Sequence, residues 1–436
     1  VSFPEFIQHA FARPLSSHIE RACGPLGLRR LAGLKWFWMD GVFGQAQESF
    51  SGDYIPLFAL AAGASAGGIG LLAAAASLLS IAGFLPGAIV GSRLRARKPL
   101  VLVSGGTVGR LFLPLLALSP FLVQSGASLV FLIIALNALR ILAGSFANSS
   151  WTSLVADLVP SANRGRYFAS RNMAIGLVAL VASPLAGQII GAINGRTVHS
   201  FPGYQVSLLA AFALGMVSTV SFSRIPEPPA RRPARLRQKA RGFVDLIRRN
   251  PPFAWLAASS LVWGLSLTMA SPFFNVYLVT ALGGNAAAVG TAAGVFSLAG
   301  LFGQAAFGRL TDLRGNRAIL VLTGFLIPIF PLAWALARAP FHVYLINVAS
   351  GFLWAGYNLA SFNILLEMSP TEDRESAVGI YQSAVAASAV LGPLVGGYLI
   401  GVVGYKVVFV LSGVGRLAGT ILFLAMARQK KVTPIP

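Results

Sequence analysis

Glu48 stands near the middle of an apolar run, residues 36–60, that reads WFWMDGVFGQAQESFSGDYIPLFAL. At 100° per residue Asp40, Gln45, Gln47, Glu48 and Ser51 share one arc of a helix, while Trp36, Met39, Val42, Phe43, Ala46 and Phe50 fill the other side. An acid at the centre of a membrane helix costs about 2.5–3.5 kcal/mol to insert. The arc is therefore expected to face protein or a hydrated cavity. A carboxyl held there suits the gain and loss of a proton, so Glu48 and Asp40 are the expected proton-coupling residues. A structural ion pair or polar packing contact is the alternative reading. Asp40 falls nearer the cytoplasmic mouth and Asp53 nearer the outer one.

A second polar face comes from Asn137, Arg140, Gly144, Asn148 and Trp151, spaced 3, 4, 4 and 3 apart. Asn347, Gly351, Trp354 and Asn358 repeat the pattern at 4, 3 and 4. Arg140 stays charged at mid-membrane, and an intramembrane ion marks a functional site by default. Its expected partner is Glu48 or an anionic substrate group, with a purely structural pair as the alternative. Gln45, Gln47, Asn137, Arg140, Asn148, Asn275, Asn347, Trp354 and Asn358 are the expected lining of a substrate cavity. Trp263, Gln304 and Gln382 read as core packing or interhelical bonds. Arg110 and Arg416 sit on helices expected to be peripheral, and a structural role is favoured for both.

These side chains need helices that cross a bilayer. The chain has 436 residues, 56% of them apolar and only 11% charged, with a mean hydropathy of +0.72. Soluble domains carry about 25% charged residues, so soluble, disordered and disulfide-framed classes are excluded. Apolar stretches fall at approximately 35–61, 67–91, 99–122, 128–158, 170–195 and 204–223, then 253–281, 286–308, 318–337, 341–367, 376–400 and 404–427. The reading is an all-α membrane protein with twelve transmembrane helices. Residues 1–33 and 428–436 form cytoplasmic end segments, 34–223 and 253–427 two six-helix bundles, and 224–252 a basic linker with nine Lys and Arg.

The net charge is +21, and its distribution explains it without nucleic acid. Alternate connections place 28 of the 34 Lys and Arg on one side and 3 on the other, the rest lying inside helices. The positive-inside rule puts both termini in the cytoplasm, and the basic linker against anionic headgroups. The single cysteine, Cys23, makes no internal disulfide, and the four histidines lack metal-ligand spacing. No cleavable signal peptide is read in the first 33 residues. No GxxxxGK[ST] or HExxH occurs, so neither an ATP-driven pump nor a metalloprotease is supported. No cofactor is expected.

The halves repeat in parallel. A shift of 220 pairs Gly63 with Gly283, Gly70 with Gly290, Gly83 with Gly303 and Arg97 with Arg317; a shift of 210 pairs Asn137 with Asn347, Asn148 with Asn358, Asp157 with Glu367, Pro160 with Pro370 and Arg164 with Arg374. Such repeats belong to transporters that rock two halves about a central site.

The connection GRLTDLRGNR, with Gly308, Leu310, Asp312, Arg314, Gly315 and Arg317, resembles the G-x-L-x-D-x-x-G-x-[RK] signature of the major facilitator superfamily. The resemblance extends from about residue 34 to the end. Asp157…Pro160…Arg164 and Glu367…Pro370…Arg374 resemble the acid–Pro–Arg connections of that superfamily. Gly392-Pro393-Leu394-Val395-Gly396-Gly397 resembles the GPxxGG element that its antiporters carry in helix 5, here displaced to helix 11. The resemblance implies a cytoplasmic gate of Arg97, Asp157, Arg164, Asp312, Arg314, Arg317, Glu367 and Arg374. The N-terminal copy departs from the signature: Ser92 stands where the acid belongs, and only Arg97 aligns.

The expected function is a secondary transporter in the cytoplasmic membrane that works by alternating access. It is read as proton-coupled and monomeric, in contact with membrane lipids, and marginally as an exporter of amphipathic, drug-like compounds. The alternatives are a proton-linked importer of a small polar solute and a non-transporting assembly or lipid-handling factor on the same fold.

Overall fold

A computed structural model describes residues 28–94, 96–123, 126–159, 164–195, 200–227, 251–368 and 374–429. Every regular element among them is helical. In chain order they are α1 (Leu28–Ser51), α2 (Ile55–Ala61), α3 (Ala66–Arg93), α4 (Lys98–Val101), a π-helical stretch (Leu102–Val108), α5 (Gly109–Leu122), α6 (Ala127–Leu158), α7 (Arg164–Asn194), α8 (Pro202–Ser223) and α9 (Pro251–Ala270). A 3₁₀ turn (Ser271–Phe273), α10 (Phe274–Thr280), α11 (Ala286–Arg314), α12 (Asn316–Leu326), α13 (Ile329–Leu336), α14 (Pro340–Met368) and α15 (Arg374–Gln429) complete the order. Nine stretches of the described residues are long and apolar enough to cross a membrane.

Helix ends follow local chemistry, and they follow it twice. Ser65 accepts from the Gly68 amide at 3.3 Å to cap α3, and Asn285 accepts from the Ala288 amide at 3.0 Å to cap α11. Two residues before each cap, Gly63 (φ +95°) and Gly283 (φ +69°) take the left-handed conformation, which glycine adopts without steric cost. These positions are 220 apart, the spacing of the sequence repeat. Thr219 Oγ1 donates to the Gly106 carbonyl at 2.6 Å, and Thr420 Oγ1 to that of Gly324 at 2.9 Å.

Several helices outrun the apolar stretches that signal them. α7 begins at Arg164 rather than near 170, and α11 continues to Arg314 rather than 308. Arginine is a good helix former whose apolar stem covers helix surface while the head reaches out. Arg171, at the edge of the apolar stretch 170–195, is thereby a buried residue well inside α7.

Packing pairs the two parts of the chain alike: α3 lies along α6, and α11 along α14. Two joints cross between them, α3 against α15 and α7 against α11. Both joints are tightest at the end that carries the 62–65 and 282–285 turns. A Cβ at Gly70 would run into the Pro393 carbonyl, and one at Gly187 into that of Ala286. Tyr54 donates to the Ser183 carbonyl at 2.7 Å there, within a core that includes Phe58, Phe273, Tyr277 and Phe409. Toward the opposite end, Asn148 and Asn358 are exposed. The GPxxGG-like element serves this packing: a Cβ at Gly392 would strike the Thr268 side chain, and at Gly396 the Met269 carbonyl. One at Gly397 would lie 2.8 Å from the Ala66 carbonyl. Pro393 is buried between them.

Candidate functional site

α1 breaks at Gly52-Asp53 before Pro56 restarts the helix as α2, and this break brings the polar arc to the junction of the two parts. A hollow of ≈ 420 Å³ opens there. Gln45, Glu48 and Asp53 line one wall, and Asn275, Ser297 and Asn347 the other. Asn275 donates to Asp53 at 3.2 Å, a bond spanning 222 residues that seals the hollow toward the packed end. Asn347 is oriented by donating to the Ala292 carbonyl at 3.0 Å.

Glu48 faces this hollow with its side chain 53% exposed, and Arg140 Nη1 stands 3.7 Å from its Oε2. The guanidinium is only 12% exposed, and Asn137 accepts from its Nε at 3.3 Å. Asn137 itself is buried. The two expected ions thus meet across α1 and α6.

Asp40 lies deeper, on a second hollow of ≈ 360 Å³ enclosed by α1, α5, α6, α7, α8 and the π-helical stretch. Gln45 lines both hollows. Ser218 donates to Asp40 Oδ1 at 2.6 Å, and Arg110 Nη2 donates to the same hydroxyl at 2.7 Å. Arg110 Nε donates to Gln47 at 2.9 Å, and its Nη1 to Thr219. Arg171 enters from α7, its guanidinium 4.3 Å above the Phe37 ring, an arrangement that favours a cation. Glycine at 41 admits it, because a Cβ there would lie 2.6 Å from Arg171 Nε. The π-helical stretch turns Gly105 and Gly106 to the wall, while Gly144, Asn148 and Trp151 line the hollow from α6. Two guanidinium groups and one carboxylate share this hollow. It can hold a polar or anionic group, and Ser218 links Asp40 to Arg110 through a hydrogen-bond chain.

Sequence alone puts Arg110 on a peripheral helix and Arg171 at the edge of an apolar stretch. The structure gathers both, with Ser218 and Thr219, around Asp40. No local spacing links residues 178 positions apart; the one sequence signal is an arginine inside an apolar run.

The remaining expected residues are dispersed. Trp354 packs edge-on against Trp263 at 5.6 Å instead of lining either hollow. Asn358 is exposed. Arg97 pairs with Asp157 at 2.8 Å and donates to Ser153, so an acid from α6 replaces the one missing at Ser92. Glu227 accepts from the amides of Arg97 and Lys98 at 2.5 and 3.1 Å. Asp312, Arg314 and Arg317 are exposed at that same end. Arg164, Glu367 and Arg374 lie in helices with side chains outside those described, and Pro160 and Pro370 lie outside the described residues.

Paired helical halves, joints at one end and a polar hollow between them define the fold of a membrane transporter. The family model of the Major Facilitator Superfamily matches residues 42–285 and 256–435, and the chain belongs to that superfamily. That superfamily is one of transporters rather than enzymes.

Among solved structures, the nucleoside transporter NupG superimposes with a TM-score of 0.64 at 14% identity, over 93% of this chain and 100% of its own. An inward-facing bacterial homologue of the iron transporter ferroportin gives 0.66 at 16%, over 92% and 100%. The chain is 30% identical over 173 residues to multidrug resistance protein MdtG of Dickeya zeae, 38% of this chain and 41% of that one. It is 25% identical over 276 residues to the agnestins efflux protein AgnL12 of Paecilomyces divaricatus, 61% of this chain and 60% of that one. The chain spans less than half the length of the first curated relatives that it matches.

Proposed function

We propose that the chain is a proton-coupled secondary transporter that exports amphipathic compounds across the cytoplasmic membrane. The observation that carries the reading is the pair of Glu48 and Arg140. The acid faces a hollow between the halves while the cation is held in the protein. Protonation of Glu48 weakens its attraction to Arg140 and changes which of two states is favoured. Asp40, relayed to Arg110 through Ser218, is the second proton-handling group. Gln45, Asn275 and Asn347 contact the solute. The efflux name of AgnL12 and the multidrug-resistance name of MdtG support the outward direction.

The architecture that serves this function has twelve crossings, six in 34–223 and six in 253–427, with residues 224–252 as linker and both termini cytoplasmic. Nine long stretches support the count, since the last of them, Tyr381–Ala425, has 45 residues and bends at Gly404. It measures roughly 68 Å as helix, enough for two passages of a ~30 Å core. α1–α2 and α14 supply two more. With that orientation the packed end is extracellular, and the structure is the inward-facing state. Arg97–Asp157 and the exposed Asp312, Arg314 and Arg317 then lie at the cytoplasmic gate. The protein acts as a monomer among lipids.

The polar lining of the central hollow favours a second reading, import of a small polar solute with protons. Flux in proteoliposomes, with and without an imposed pH gradient, tests both. Export predicts that a pH gradient drives ethidium or a similar amphipathic dye toward the acidic compartment. Movement of sugars or organic acids down the proton gradient, with no dye flux, supports import. No flux of any solute under any gradient overturns both.

A further inference from the structure

Arg110 and Arg171 both line the hollow of ≈ 360 Å³ beside α1, and Asp40 is the carboxylate on its wall. The two cations are held differently. Arg110 donates from all three of its nitrogens to neutral acceptors, Gln47, Ser218 and Thr219. Arg171 is 8% exposed, and its Nε donates to the Phe37 carbonyl at 3.4 Å. Its terminal nitrogens carry the rest of its donors. Among the described residues they have no hydrogen-bond partner, and no carboxylate lies within 4 Å. Asp40 takes its described side-chain bond from Ser218 and offsets at most one of the two charges. One positive charge is thus left over in an enclosed site, where an unpaired ion is costly.

The rest of the wall suits a solute that is apolar behind its charge. Leu102, Trp151, Ile175 and Phe222 supply apolar surface. Gly144 leaves room for it: a Cβ there would meet no protein atom within 4 Å, and the space it would enter is the hollow. Gly144 and Asn148 are both exposed as well as lining the hollow, so a solute can reach it. The central hollow has the opposite character, because the open charge there is Glu48, 53% exposed.

We propose that the hollow beside Asp40 is a carboxylate subsite of the transporter. The acidic head of an amphipathic solute accepts from the terminal nitrogens of Arg171, and its apolar body lies against Trp151 and Ile175. The inference rests on the transporter reading above and adds organic anions to its solutes, with cations left to the central hollow and Glu48.

The test uses the full chain purified in detergent and equilibrium dialysis of naphthoate against protein-free micelles of the same detergent. Naphthalenemethanol, which has the same rings and no charge, is the comparison. Naphthoate is expected to bind roughly tenfold or more tighter than the alcohol, the worth of a charged hydrogen bond. Arg171→Gln removes the charge and is expected to reduce naphthoate to the affinity of the alcohol. Gly144→Leu fills the hollow without striking the protein and places a better helix former in α6. It is expected to abolish naphthoate binding with a melting temperature no lower than the parent's. A parent that binds naphthoate no better than naphthalenemethanol overturns the proposal. So does an Arg171→Gln protein with the parent's preference, or, where that variant does not fold, a Gly144→Leu protein with the parent's naphthoate affinity. Binding is measured with no gradient, so absence of flux in proteoliposomes would overturn the export reading and leave this result standing. Failure of naphthoate to bind leaves the flux test of ethidium untouched.

Discussion

Arg140 Nη1 lies 3.7 Å from Glu48 Oε2, and the two partners are unequally held. The cation is largely enclosed and bonded to Asn137, whereas the acid stands open to the hollow. A pair built this way leaves the acid reachable from the hollow while the position of the positive charge stays set. Arg140→Gln leaves Glu48 facing solvent, so the cost in stability is small, about 1 kcal/mol or less. Proton-linked transport is expected to fall roughly tenfold or more, since the two states lose their differential stabilisation. Thermal melting and flux measured on the same preparation check the dissociation of the two effects.

Ser218 is the only side chain that touches both Asp40 and Arg110 in their described hydrogen bonds. Ser218→Ala strips a donor from Asp40 and an acceptor from Arg110 in a largely buried setting. The expected loss is about 1–3 kcal/mol, read as a lower melting temperature. Ser218→Thr, which keeps the hydroxyl, is expected to recover most of it.

The packed end depends on backbone approaching backbone. A side chain at Gly187 has no space, because its Cβ would meet the Ala286 carbonyl. Gly187→Val is therefore expected to wedge α7 from α11 and shift the population toward the state open at that end. Spin-label distances between α7 and α11 should lengthen there; distances equal to the parent's would contradict the packing argument.

At the other end the Arg97–Asp157 pair is intact while Asp312 is exposed. Asp312→Asn is expected to leave the melting temperature of this state within about 0.5 kcal/mol equivalent and to weaken closure of that end in the opposite state. Faster labelling of cysteines introduced into the central hollow, from the side of Asp312, is the expected readout.

Much of this arrangement is legible in the residues themselves. The helical arc of residues 40–51 and the 3–4 spacing from Asn137 to Trp151 place Glu48 and Arg140 on facing sides. The 220-residue shift anticipates the paired left-handed turns at Gly63 and Gly283. What local pattern does not carry is tertiary placement. Arg171 stands at the very edge of the apolar stretch 170–195, and the packing of α7 against α1 turns it into a buried neighbour of Asp40. Trp354 shares a helical face with Asn347, yet a T-shaped contact with Trp263 draws it into packing. Aromatic rings satisfy either environment, so spacing alone does not decide between them. The acid that serves Arg97 comes from a different helix, 60 residues on, and no signature at Ser92 announces it.

Proton coupling at Glu48 is tested most directly by Glu48→Gln in proteoliposomes. The account predicts that the variant still equilibrates an amphipathic dye across the membrane but no longer accumulates it when a pH gradient is imposed. Accumulation equal to the parent's would contradict it.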